Sequence, residues 1–171
     1  MAFTWPFGLF REPLPAPTSR VSRVLLASEG RPFTPDAIDA ALDLVAVGGT
    51  VSIIAIARIW GSSLGFPNPG LMPNKQELAE QHGLVDQALL ACERRGVQAS
   101  GRVVGTRDAA KRIVKEAVAI NAGAVVMAAD AEPHWLVASL LWTNEPWRVR
   151  KLSPVGVELV ISRPEKAGRE T

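Results

Sequence analysis

Five stretches of this chain are apolar over the length of a strand, and segments of helical period lie between them. Val21 to Ser28 (VSRVLLAS) is a continuous apolar run, and Thr50 to Ala57 (TVSIIAIA) is β-branched and apolar, the pattern of a strand covered on both faces. Val97 to Gly105, interrupted by Gly101, predicts a weaker third strand, Ala124 to Ala129 a fourth and Val155 to Ser162 (VGVELVIS) a fifth.

The intervening segments carry helix signals. Thr34 reads as an N-cap with Pro35 at the first helical position and Asp36 facing the positive end of the dipole. Ile38, Ala41, Leu42 and Val45 then share a face, and Gly48-Gly49 is expected to end that helix. Asn74 and Glu77 have capping-box spacing ahead of a second helix. Its seam is Leu78, Val85, Leu89 and Cys92, its stop Gly96, and His82 falls on the same stripe as a half-buried residue. Thr106 is expected to cap a third helix with inner positions Ile113, Ala117 and Ile120 and a stop at Gly123. A helical segment follows the fourth strand and restarts near Asn144 to Pro146. Strands separated by helices require right-handed parallel crossovers, hence an α/β, doubly wound, three-layer fold.

Two segments have no period. Residues 58–74 (RIWGSSLGFPNPGLMPN) form a Pro- and Gly-rich loop of the length that is usually functional or disordered. Residues 1–20 set Phe3, Trp5, Phe7, Leu9 and Phe10 among Pro6, Pro13, Pro15 and Pro17, which fits neither a helix nor a central strand. This aromatic arm either folds back over an apolar groove of its own domain or of its dimer mate, or docks onto another protein or a membrane surface. With only Arg11 beside the aromatics, membrane contact is the weaker of the docking options. Residues 21–163 make the domain and 164–171 a polar tail.

Composition narrows the function. At 171 residues and 47% hydrophobic the chain fits one core. The net charge is +2, with arginines far outnumbering lysines but no polybasic run. Arg107, Lys111, Arg112 and Lys115 share one amphipathic helix, where a solvated face is the commoner meaning, so nucleic acid is not expected as a partner. Cys92 is the only cysteine, which excludes an internal disulfide or thiolate metal site, and no metal or cofactor is expected. No apolar run approaches the length of a membrane span, and the start lacks a signal-peptide pattern, so a cytoplasmic protein is expected.

In order and spacing the chain resembles the universal stress protein family over residues 21–163. Glu29-Gly30-Arg31 stands where the family's first strand ends in Asp-Gly-Ser, Val103-Val104-Gly105 matches its Val-Val-x-Gly stretch, Val125-Val126-Met127-Ala128 its Ile-Val-Met-Gly strand, and Pro154-Val155 its final Pro-Val. The resemblance implies a five-stranded parallel sheet in the order 3-2-1-4-5 and a homodimer paired through the last strand, here Val155, Val157, Leu159 and Ile161. Nucleotide-binding members carry Gly-x-x-Gly-x9-Gly-[Ser/Thr] after the fourth strand, where glycines and a helix N-terminus cradle phosphates. Those positions fall here on Ala128, Ala131, Leu141 and Trp142, and Asp130 and Glu132 add negative charge, so ATP binding in the family's manner is not expected.

A residual adenine pocket would be lined by Ser28, Glu29, Gly30, Ile56, Ala57, Met127, Ala128 and Asp130. Alternatively, the same residues finish the sheet under a plug of Trp60, Trp135 or Trp142, which is the favoured reading. Trp135 and Trp142, seven apart, with Trp147 nearby, are either groove-filling residues or the aromatic anchors of a protein interface. Ser28, Glu29, Asp130, His134 and Cys92 show no nucleophile–base–orienter spacing, so an enzyme is not expected. The readings left are a regulatory protein that docks through its aromatic arm and tryptophan segment, and a sensor of a small nucleotide such as AMP or a cyclic nucleotide.

Overall fold

The computed structural model describes residues 14–58, 75–130 and 145–161. Within them nine elements follow one another: β1 (Val21–Ser28), α1 (Pro35–Leu44), β2 (Val45–Arg58), α2 (Lys75–Arg94), β3 (Gln98–Thr106), α3 (Ala109–Ala119), β4 (Ala124–Ala129), α4 (Glu145–Leu152) and β5 (Gly156–Ile161). The strands form one parallel sheet ordered β3-β2-β1-β4-β5, as the resemblance implies. The arm residues Phe3, Trp5, Phe7 and Phe10, the loop 59–74 with Trp60 and Asn74, the segment 131–144 with His134, Trp135, Leu141 and Trp142, and the tail lie outside the described residues.

The period of two along each strand builds both core layers at once. Val24, Leu26, Val51, Ile53 and Val126 face one side and pack with Ala37, Ala41 and Leu42 of α1 and Val85, Ala88 and Cys92 of α2. Leu25, Ala27, Ile54, Ile56, Val125 and Met127 face the other, against Ala110, Ile113 and Ala117 of α3 and Val149 of α4. No helix among the described residues is long and apolar enough to cross a membrane.

Four expectations are corrected. The first helix does not run to Gly48-Gly49: it ends at Leu44, because the β-branched Val45 turns extended (φ −75°, ψ 132°) and pairs with Val21. The glycine pair instead absorbs the extra residues where the register moves from Val21↔Val45 to Arg23↔Thr50, with Gly48 at φ 75°. The cap of α3 is Asp108, whose carboxylate accepts from Lys111 N, while Thr106 holds the turn before it by accepting from Asp108 N. That helix stops at Asn121 (φ 50°), ahead of Gly123. His82 is exposed, because the seam of α2 runs through Val85, Ala88 and Cys92.

Candidate functional site

All five strands point their carboxyl ends the same way, and β1 lies between β2 and β4. The chain therefore leaves β1 in one direction and enters β4 from the other, the switch point at which ligands bind in open α/β sheets. The β1–β4 ladder covers only Val24 to Leu26, so the two strands part above that level.

The turn that roofs this gap is made by Ser28 to Arg31. The Ser28 hydroxyl accepts from Gly30 N (3.1 Å) and donates to the Arg31 carbonyl, which closes the turn on itself. Gly30 sits at φ 116°, and a β-carbon there would stand 3.2 Å from the Ile56 carbonyl, so both conformation and space select glycine. Glu29 is 6% exposed.

Arg31 crosses the gap. Its Nε donates to Glu29 Oε1 (2.5 Å) and its Nη1 to Asp130 Oδ2 (2.8 Å), linking the turn after β1 to the end of β4. Burial works to lower the guanidinium's pKa, but Glu29 first and then Asp130 oppose it, and the net effect is upward. Two neighbours brace the bridge. The Trp147 indole N–H donates to the Asp130 carbonyl (3.3 Å), and Gln81 Nε2 donates to the Gly30 carbonyl (3.2 Å) while Gln81 Oε1 is buried with no hydrogen-bond partner among the described residues.

The structure brings Ser28, Glu29, Gly30 and Asp130 together and separates others from them. Met127 and Ile56 are fully buried in the core beneath α3 and α4. Ala57 is buried, and Ala128 is half-buried against the α1–α2 layer. Trp147 is half-buried, with the Arg150 guanidinium 5.5 Å from its ring centroid, so its polar edge and one face are engaged within the chain. Cys92 lies buried in the other layer, and burial raises its thiol pKa. Val157 is buried under the helices, Leu159 packs beside it, and Val155 precedes the strand, leaving Ile161 as the exposed member of the edge. The residues that sequence reasoning overlooks are Arg31 and Gln81. Arg31 meets an acid 99 residues away and Gln81 a carbonyl 51 residues away, which no local spacing signals.

No family model matches the sequence, and no curated protein matches it. Solved structures do. A universal stress family protein from Burkholderia pseudomallei superposes with a TM-score of 0.59 at 25% identity, covering 85% of this chain and all of its own. The fold is that of the universal stress proteins. A universal stress protein in complex with cAMP superposes with a TM-score of 0.59 at 17% identity over 84% of this chain and 98% of its own. An Arabidopsis thaliana member of the family with AMP bound gives 0.53 at 11% over 88% and 97%. The universal stress fold of this chain thus puts the Arg31 bridge at the carboxyl edge of the sheet.

Proposed function

We propose that this chain is a regulatory, non-catalytic protein of the universal stress type that does not hold ATP in the family's manner. In this reading it works in the cytoplasm as a homodimer paired through the edge strand β5 and acts by docking onto another protein. The observation that carries the reading is the Arg31 bridge. Glu29, Asp130 and Arg31 together keep a net negative charge, and the cation is already bonded to both acids. A triphosphate placed there adds several negative charges to a site whose neutralising group is occupied. Ser28 supports the absence of catalysis, because its hydroxyl hydrogen goes to the Arg31 carbonyl and not to a base. Docking is tested by recovering partners from native extract with the full chain, with residues 2–12 deleted and with Trp147→Ala. Recovery should fall in at least one variant; equal recovery in all three argues against docking through the arm and tryptophans.

A second reading is a sensor of AMP or a cyclic nucleotide, as the AMP- and cAMP-bound neighbours suggest. Gln81 favours it, since a buried acceptor with no partner among the described residues, beside the Gly30 turn, suits a ligand N–H. Thermal melting with AMP, cAMP and ATP separates the readings. A rise with AMP or cAMP, lost in Gln81→Leu, supports the sensor, whereas no rise leaves docking as the function.

A further inference from the structure

The two helical layers differ in sign. On α1 and α2 the exposed ionic residues are mainly acids, from Asp36 to Glu93, whereas the acids of the α3–α4 layer are turned inward. Glu116, 8% exposed, pairs with Arg102 and Arg112. Glu145, also 8% exposed, accepts from Ala110 N (3.2 Å) and from Arg148. Asp108 is used as the cap of α3. The cations of this layer point outward: Lys111 is 75% exposed although its Nζ lies 3.4 Å from Asp108 Oδ2, and Arg107, Lys115 and Lys151 are exposed as well. The small net charge conceals this segregation.

The face has a definite shape. Glu145 and Arg148 tie the start of α4 to the start of α3, and each helix leads into one of two neighbouring parallel strands, so the helices run side by side in the same direction. Lys111, Lys115 and Val118 form one stripe along α3 by helical spacing. Val118, 52% exposed, and Leu152, 47% exposed, then lie at the same end of the pair. The face is basic along its length, and Val118 and Leu152 add two aliphatic side chains at one end.

We infer that the α3–α4 face is a docking surface for an acidic amphipathic helix of a partner protein, with carboxylates over Lys111 and Lys115 and an aliphatic residue on Val118 and Leu152. Two parallel helices offer a groove for a third. Acids four apart on a partner helix match the lysine spacing. A nucleic acid would leave the two aliphatic side chains against phosphates, and the aromatic residue of α4, Trp147, has its N–H on Asp130 and one ring face taken by Arg150. A bilayer needs a broader apolar face than two residues provide. The inference rests on the docking reading and gives it a location.

The test is fluorescence anisotropy with a synthetic helical peptide of about 20 residues, carrying Glu pairs four apart and Leu three further on, and a Gln-for-Glu control. The Glu peptide should bind, more weakly as salt rises, and Lys111→Glu with Lys115→Glu should weaken it about tenfold or more, with the fold shown intact by circular dichroism despite the lost Lys111–Asp108 pair. Equal binding by the charge-reversed variant, equal binding of the Gln peptide, or tighter binding of a single-stranded RNA or of phosphatidylserine vesicles would overturn the proposal. Self-association at low salt that the reversal abolishes would assign the face to the acidic layer of a second copy, and would likewise overturn it. If native extract yields the same partner with the parent and the reversed variant, docking stands and this face does not carry it.

Discussion

Single residues set the form of the site. Gly30 holds a left-handed turn over the Ile56 carbonyl, so Gly30→Ala should destabilise by roughly 1–3 kcal/mol in urea unfolding and loosen the placement of Arg31. Asp108 gives a pH-dependent expectation. Burial works to raise its pKa, but the Lys111 backbone N–H and side chain and then Arg148 outweigh it and hold the carboxyl below its ordinary value. A depressed folded pKa stabilises above the unfolded value and the benefit disappears as pH falls through the folded one. Asp108→Ala should therefore cost about 1 kcal/mol near neutral pH, a difference that shrinks on acidification below the usual aspartate range. The glutamate, glycine and arginine of the first turn were legible as a motif, whereas the role of the arginine as a bridge was not. Its partner Asp130 comes from the other half of the fold, and that pairing exists only once β4 is laid beside β1.

At the scale of elements, the sequence located β1 and β4 to the residue, and it placed the Thr34 cap correctly because the signals there are local. It misplaced the junction of α1 and β2, where Val45 to Val47 can continue a helical face or begin a strand and the ladder with β1 decides for the strand. Gly101, read as a weakness of β3, has a packing role: a β-carbon there would come within 2.3 Å of Val85 Cγ1, so the glycine lets α2 approach the sheet. Gly101→Ala should thus cost about 1–3 kcal/mol, seen as a lowered midpoint in chemical unfolding, and an unchanged midpoint would mean that α2 yields freely. β5 is an edge strand, and pairing through it should appear in sedimentation as a dimer at working concentration. A purely monomeric mass would remove that contact.

For the whole molecule, the alternation of apolar strands and amphipathic helices was enough to reach the three-layer parallel sheet, because right-handed crossovers leave few arrangements. The charge of the two layers was not legible in the same way. The basic helix read as a solvated face, and only the inward turn of Glu116 and Glu145 shows that the exposed charge of this layer is mainly positive. At the switch point Arg31 is matched to two acids and leaves no net positive charge for a phosphate chain. The most direct test of that claim is a calorimetric titration of the purified full chain with Mg-ATP at moderate salt. No saturable heat is expected up to the millimolar range, about −4 kcal/mol of binding free energy or weaker. Saturable binding in the micromolar range would contradict it.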